Sequence, residues 1–102
     1  MTIDVLQSKL AHLPGSPGVY LFKNEQGEII YIGKAAVLAD RVRSYFQKGT
    51  DHSLKTSLLV SHVTDLETMV TRSELEALIL ESNLVKRHKP RFNIVLRDDK
   101  QY

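Results

Sequence analysis

The chain contains no cysteine. Disulfides, thiolate catalysis, zinc fingers and iron–sulfur sites are therefore all excluded. That fits a reducing cytoplasm, the location expected for it. No apolar run approaches the roughly 20 residues a membrane helix needs. The first thirty residues also lack the charged-then-apolar order of a signal peptide. Neither an internal repeat nor a low-complexity stretch is present. What remains is 102 residues, 42% hydrophobic and 25% charged, an ordinary balance for one globular domain. At this length about 65% of the unfolded surface can be buried, enough for a modest core without covalent staples.

Charge of one sign is also scarce, with a net of +2, but its distribution is uneven. Residues 1–33 sum to −1, 34–50 to +3, 51–85 to −4 and 86–102 to +4. Two basic stretches bracket an acidic one. If the fold joins them they form a local positive surface of the kind a phosphate backbone attracts. If it does not, they are a solvated surface of mixed charge.

Thr2 caps a short helix with Ile3, Leu6, Leu10 and Leu13 at near-helical spacing. Pro14-Gly15-Ser16-Pro17-Gly18 then breaks the chain. Val19-Tyr20-Leu21-Phe22 and Ile29-Ile30-Tyr31-Ile32 read as two strands of a hairpin. Val37, Leu38, Val42, Tyr45 and Phe46 predict a helix over about 36–47, with Lys48-Gly49-Thr50-Asp51 as its exit. A second helix follows over about 53–62, with Leu54, Leu58 and Leu59 inward. A third strand is expected over 63–70. Ser73-Glu74-Leu75-Glu76 is a capping box that opens the longest helix, to about Lys89. Pro90 stops it, and Phe92 to Tyr102 reads as a short polar tail. Because the first two strands form a hairpin, the sheet cannot be all parallel. The class is α+β, a small three-stranded antiparallel sheet flanked by helices.

Several constellations fail. Gly27 to Gly33-Lys34 imitates a phosphate loop, but five residues separate the glycines instead of four, and Ala35 stands where a hydroxyl must meet magnesium. His12, His52, His62 and His88 lack metal-ligand spacing. Asp98-Asp99-Lys100 has no upstream carboxylate to complete a metal pair.

The longest helix carries a stronger signal. Counted at about 100° per residue from Leu75, Glu81 falls near 240°, between Val85 and Ala77, inside an arc that is otherwise apolar. A half-buried carboxylate must be paired or hold a cation. Arg41 likewise falls between Val37 and Tyr45, in the stripe that should face the core or a cleft. Two arrangements are open: the two pair with each other, or they serve a cation and an anion separately. Tyr20 and Tyr31 lie on the hairpin and Tyr45 on the helix, where packing or an activated phenol are both open.

Gly18-Val19-Tyr20 followed by Tyr31-Ile32-Gly33 resembles the signature of the GIY-YIG nucleases. Arg41, Glu81 and Asn93 follow in the order that family uses. Leu13-Pro14, Ser16-Pro17-Gly18-Val19-Tyr20, Tyr31-Ile32-Gly33-Lys34-Ala35, Arg43-Ser44-Tyr45-Phe46, the run Glu76 to Lys86, Pro90-Arg91-Phe92-Asn93 and Arg97-Asp98-Asp99-Lys100 are similar to the UvrC branch, the incising subunit of the bacterial excinuclease. The likeness runs from about Leu13 to Tyr102.

The resemblance implies a metal-dependent DNA endonuclease domain that makes the 3′ incision beside lesions in nucleotide excision repair. It assigns residues 1–13 to an N-terminal helix, 14–93 to the nuclease domain and 94–102 to the start of a linker. Tyr31 would be the catalytic phenol, as general base or water-orienting group. Glu81 would be the ligand of one Mg²⁺ or Mn²⁺, and Arg41 would stabilise the transition state. Tyr20, Lys34 and Tyr45 would build the surrounding network, with Gly33 and Asn93 supporting it. Lys34, Arg41, Arg43, Lys86, Arg87, Lys89 and Arg91 would meet DNA. The implied partners are damaged double-stranded DNA and UvrB, with UvrA upstream, and the isolated domain is expected to be a monomer. A phenol with a reference pKa near 10 is about one part in a thousand ionised at pH 7, so about 4 kcal/mol must be recovered. Lys34 or the metal would supply part of it. Ala36-Val37 and Ala39-Asp40 stand where the family commonly has basic or polar residues, which removes positive charge near the site. The other readings are a DNA- or partner-docking module that keeps the fold without cutting, and a stand-alone nuclease of the same family.

Overall fold

Strand β1 (Gly18–Lys23) is the centre of the molecule. In the computed structural model, which describes residues 2–47 and 53–97, it is paired on both sides. Strand β2 (Ile29–Ala35) lies antiparallel on one edge and β3 (Asp65–Val70) antiparallel on the other. A central strand covered on both faces reads as a continuous apolar run. That is the pattern of Val19 to Phe22, four successive residues all at 2% exposure or less. Alternation then sorts them. Tyr20 and Phe22 join Leu38, Val42, Tyr45, Leu59, Leu66 and Phe92 on one face. Val19 and Leu21 join Ile32 and Ala77 on the other.

The hairpin loop is held by Asn24, whose side-chain oxygen accepts from the backbone N–H groups of Gln26 and Glu28, both at 3.0 Å. Gly27 takes the left-handed φ of +79° that closes it. Just beyond the loop the pairing slips: Phe22 faces Tyr31, but Lys23 faces Ile29. Ile30 is the extra residue of a β-bulge. It packs into the Tyr20–Phe22 face, while Ile29 and Ile32 pack on the other. The bulge buries Ile30 without taking Tyr31 off the face that carries Tyr20.

Among the described residues five helices cover the sheet. Helix α1 (Thr2–Ala11) packs on β3 and on α2 (Leu38–Ser44). Helix α3 (Leu54–His62) is capped by Ser53, whose hydroxyl accepts from the Thr56 N–H. Helix α4 (Glu74–His88) crosses the opposite face, over β1 and β2. Ser73 caps it by accepting from the Glu76 N–H, while the Glu76 carboxylate accepts from the N–H of Arg72. At its other end Lys89 takes a left-handed φ of 45° and the buried Pro90 forbids another turn. Helix α5 (Arg91–Arg97) follows at once and packs on β2 and α3. No helix among the described residues is long and apolar enough to cross a membrane.

Several expectations are corrected here. The helix expected over 36–47 is the shorter α2. Val37 is its non-helical N-cap at 38% exposure, and Tyr45 and Phe46 form a tight closing turn. Leu54 and Leu58 do not point inward; they are 87% and 52% exposed, and Leu59 alone is buried on α3. The third strand starts at Asp65, with Val63 buried ahead of it. The stretch read as a polar tail begins with a helix, because Phe92 is buried in the core and carries α5 with it. The side chain of Ile3, the exit Lys48–Asp51, His52 and Asp98–Tyr102 lie outside the described residues.

Candidate active site

The three tyrosines converge on one face of the sheet. Tyr20 projects from β1 and is 1% exposed; Tyr45, from the turn closing α2, is 8% exposed. Their hydroxyls are hydrogen-bonded at 2.9 Å. Tyr31, half-buried on β2, places its ring centroid 6.2 Å from Tyr20 and 6.5 Å from Tyr45. Phe22 sits among them. Its ring lies 5.2 Å from Tyr20, 6.2 Å from Tyr31 and 5.1 Å from Tyr45, the last edge-on. Such aromatic pairs add about 0.5–1.5 kcal/mol each beyond the area they bury. Phe22 was not among the residues singled out from the sequence. The signal that finds it is its spacing of two from Tyr20 on a strand, which puts both rings on one face.

Gly33 makes this convergence possible. It faces Tyr20 across the β1–β2 ladder. A β-carbon there would run into the Tyr20 ring and hydroxyl. The Tyr20 ring and hydroxyl therefore occupy the space a side chain would take at Gly33, with the hydroxyl bonded to Tyr45.

Arg41 projects from α2 with its guanidinium carbon 5.7 Å from the centre of the Tyr45 ring, a cation–π distance. It is exposed, so of the two places the helical wheel left open, the core or a cleft, it faces the open side of the tyrosine cluster. Tyr20 first, then Tyr45 and Tyr31, raise its pKa, although burial opposes them. It stays a cation at any working pH.

Glu81 occupies the middle of α4. Ala77, Leu80, Leu84 and Val85 around it are buried or half-buried against the sheet, and Glu81 is half-buried with them. The wheel therefore placed Glu81 correctly, but the apolar arc does not continue round the helix: Leu75, Leu78 and Ile79 are 66%, 45% and 54% exposed. Glu81 lies near enough to Tyr31 for its charge to act on the phenol.

Two of the phenols, Tyr31 and Tyr20, are pushed away from ionisation by their surroundings. Burial, then Tyr45, then the Glu81 carboxylate push the Tyr31 pKa well above its ordinary value, and only Arg41 opposes. Burial, then Tyr45 and Tyr31, do the same to Tyr20. Lys34 is exposed on β2.

Asn93 ties α5 to the outer edge of β2. Its side-chain oxygen accepts from the Ile32 N–H and its amide donates to the Ile32 carbonyl, both at 2.8 Å. The side chain thus imitates one residue of a neighbouring strand, between Tyr31 and Gly33.

The basic residues divide. Lys86 and Arg87 are exposed in the last turn of α4, with Lys89 at its cap, where they also complement the helix dipole. Arg91 is exposed, with its guanidinium carbon 5.2 Å from the centre of the Phe92 ring. Arg43 is turned the other way: its Nε and Nη2 donate to the carbonyls of Leu10 and Ala11, at 2.9 and 3.3 Å. Among the described residues no cluster of three or more His, Asp or Glu side chains could enclose a metal. The single carboxylate of Glu81 is nonetheless a hard-oxygen donor, which fits a Mg²⁺-like cation completed by water and phosphate oxygens.

The family model for the UvrC-like GIY-YIG domain matches residues 16–94. The chain belongs to the UvrC-like GIY-YIG family. UvrABC system protein C of Dehalococcoides mccartyi is 58% identical over 102 residues, 100% of this chain. The chain spans only 17% of that relative's length. The fold also matches the crystal structure of the GIY-YIG N-terminal endonuclease domain of UvrC from Thermotoga maritima bound to its catalytic divalent cation, magnesium. The TM-score is 0.73 at 42% identity, covering 84% of this chain and 92% of that one. A Tyr→Phe point mutant of the same Thermotoga domain, also bound to its catalytic divalent cation, matches with a TM-score of 0.74 at 41% identity, covering 84% of this chain and 92% of that one. UvrC-like GIY-YIG domains are thus the setting in which Tyr20, Tyr31, Arg41, Tyr45, Glu81 and Asn93 are to be read.

Proposed function

We propose that this chain is a metal-dependent DNA endonuclease domain that makes the 3′ incision beside lesions in bacterial nucleotide excision repair. The observation that carries the reading is the convergence of three tyrosines and Arg41 beside a half-buried mid-helix carboxylate, Glu81. In this reading Glu81 would hold one Mg²⁺ or Mn²⁺, which when bound would neutralise charge on the phosphoryl and leaving oxygens.

The protein's own groups do the rest. Tyr31 is a protonated phenol at neutral pH, as an ordinary pKa near 10 already dictates, and burial holds it further from ionisation. Its first task is therefore to orient the attacking water by hydrogen bonding, and base action requires the ionised form to be stabilised. Tyr45 and Tyr20 fix the Tyr31 ring, and Arg41 presents a permanent cation to the negative charge that grows on the phosphate. Lys34 adds positive charge at the same edge of the sheet. Asn93 holds the strand segment from which Tyr31 projects.

Lys34, Arg41, Lys86, Arg87, Lys89 and Arg91 supply the phosphate contacts, which are independent of sequence. The substrate is damaged duplex DNA delivered by UvrB after UvrA, in keeping with the chain's likeness to a protein of the UvrABC system.

Glu81→Gln tests this reading. The variant should keep the parent's thermal unfolding, lose Mn²⁺ binding by calorimetry and lose Mn²⁺-dependent nicking of UvrB-loaded damaged DNA in the intact protein. Parental Mn²⁺ affinity in that variant would overturn the assignment. Parental Mn²⁺ binding with no cutting under any condition would instead favour a docking module of the same fold.

A further inference from the structure

Helix α2 carries Arg41 and leads into Tyr45, yet its seven residues are too few to hold a position unaided. Its N-cap, Val37, offers no side-chain cap. External ties set it instead. The Leu38 and Ala39 N–H groups donate to the carbonyls of Ser16 and Pro14, each at 3.0 Å. On its outer side the Arg43 fork takes the Leu10 and Ala11 carbonyls at the end of α1.

Arg41 and Tyr45 stand two residues either side of Arg43, about 200° round the helix, so they turn toward the tyrosine cluster while Arg43 turns away. Helix α1 is itself pinned. Lys9 donates to the Asp65 carboxylate at 2.8 Å and to the Leu66 carbonyl at 3.0 Å. Leu6, Leu10 and Leu13 pack against the cluster that holds Tyr20 and Tyr45.

We infer that Arg43 is a positioning residue: it clamps α2 onto the end of α1 and so sets Arg41 and Tyr45, rather than contacting DNA phosphate. Its effect on rate rests on the endonuclease reading above; the clamp itself does not. The planar guanidinium reaches two successive carbonyls, which the compact ammonium of lysine cannot do in the same way. Helix α1, which precedes the stretch that matches the family, thereby becomes part of the site's framework.

Arg43→Lys and Arg43→Ala in the intact protein separate the possibilities through three measurements. The first is the single-turnover nicking rate constant with Mn²⁺, which reports placement; loss of folded protein alone lowers only the amplitude. The second is the slope of DNA affinity against salt, and the third is hydrogen exchange at the Arg41 and Tyr45 amides. A clamp predicts that both variants lose roughly tenfold in rate constant, within the range of about 10²-fold that a misplaced group can cost. Both should also exchange faster at those amides and keep the parental salt slope. Arg43→Lys with parental rate and exchange, together with an Arg43→Ala slope reduced by about one unit, would make Arg43 a phosphate contact and overturn the inference. Parental rates and exchange in both variants would overturn it as well. If the parent protein itself fails to nick, the endonuclease reading falls, and hydrogen exchange alone decides the clamp.

Discussion

Asn93 and Ile32 exchange two hydrogen bonds of 2.8 Å, so one side chain completes the ladder of a sheet edge beside Tyr31. Asn93→Ala would leave a backbone N–H and C=O without partners in a half-buried place. An unsatisfied group there costs about 1–3 kcal/mol. The variant should melt roughly 4–24 °C lower by differential scanning calorimetry, at about 4–8 °C per kcal/mol for a domain of this size. Asn93→Asp keeps the acceptor geometry but sets a carboxylate against the Ile32 carbonyl, so it should be no better than alanine. Melting within about a degree of the parent would show the pair to be dispensable.

Gly33 and Tyr20 give the second prediction. A methyl group at Gly33 has no room while Tyr20 keeps its bond to Tyr45. Gly33→Ala should displace the ring, break the 2.9 Å hydroxyl contact and cost about 1–3 kcal/mol, as overpacking does. Pairing it with Tyr20→Phe tests the cause. Removing the hydroxyl relieves part of the clash, so the double variant should be more stable than the sum of the single changes predicts. Strict additivity would mean that the added methyl is accommodated elsewhere.

Stability should change at both ends of the pH scale. At the acid end, burial alone would raise the Asp65 pKa. The hydrogen bonds from Lys9 and from the Leu66 N–H, with the charges of Lys9 and Lys23, outweigh it and hold Asp65 below its ordinary value. Its contribution is present above the unfolded pKa near 4 and is lost as pH falls through the folded one. The pair is partly exposed, so it contributes no more than about 1 kcal/mol. At the alkaline end, Tyr20 and Tyr31 are raised, so their neutral forms stabilise the fold up to about pH 10, and that stability is lost as pH rises through the folded values. Urea unfolding across pH checks both: Lys9→Met should flatten the acid limb, and Tyr31→Phe the alkaline one.

Much of this was legible in the sequence because the relevant signals are local. Val19 to Phe22 is buried on both faces and reads as an apolar run; Ser73 and Pro90 mark the two ends of α4; Glu81 stands out as one carboxylate in an apolar arc. The three-stranded antiparallel α+β class followed from the hairpin. Tertiary contacts decided what was missed. Four apolar residues at 29–32 give no parity, so the bulge at Ile30 is invisible without the partner strand. Leu54, Leu58, Leu75 and Ile79 repeat at helical spacing, but spacing does not say which stripe meets a neighbour, and here these residues face outward. Helix α5 has too few residues to show a period; Phe92 and Asn93 hold it through the core and the β2 edge. Arg43 stands in a basic stretch, and nothing local in the sequence shows that its side chain donates to backbone carbonyls 32 and 33 residues away.

Tyr31→Phe separates a nuclease from a docking module most directly. The change deletes one oxygen and keeps the ring, so the contacts with Phe22, Tyr20 and Tyr45 at 6.2–6.5 Å survive. Stability at neutral pH should therefore change by less than about 1.5 kcal/mol. No charge is lost, because the phenol is neutral at that pH, and DNA affinity should hold at every salt concentration. Mn²⁺ affinity should also be kept, since the carboxylate of Glu81 is untouched. If the hydroxyl orients or deprotonates the attacking water, the 3′ incision rate should fall by about 10²–10⁴-fold. The measurement is single-turnover 3′ incision by the intact protein on UvrB-loaded damaged DNA. Removal of divalent metal by a chelator should lower the parent's rate below that of the variant. A variant that cuts within threefold of the parent would reduce Tyr31 to a packing residue and withdraw the catalytic reading of the hairpin, while leaving Glu81 as the metal ligand to be judged on its own.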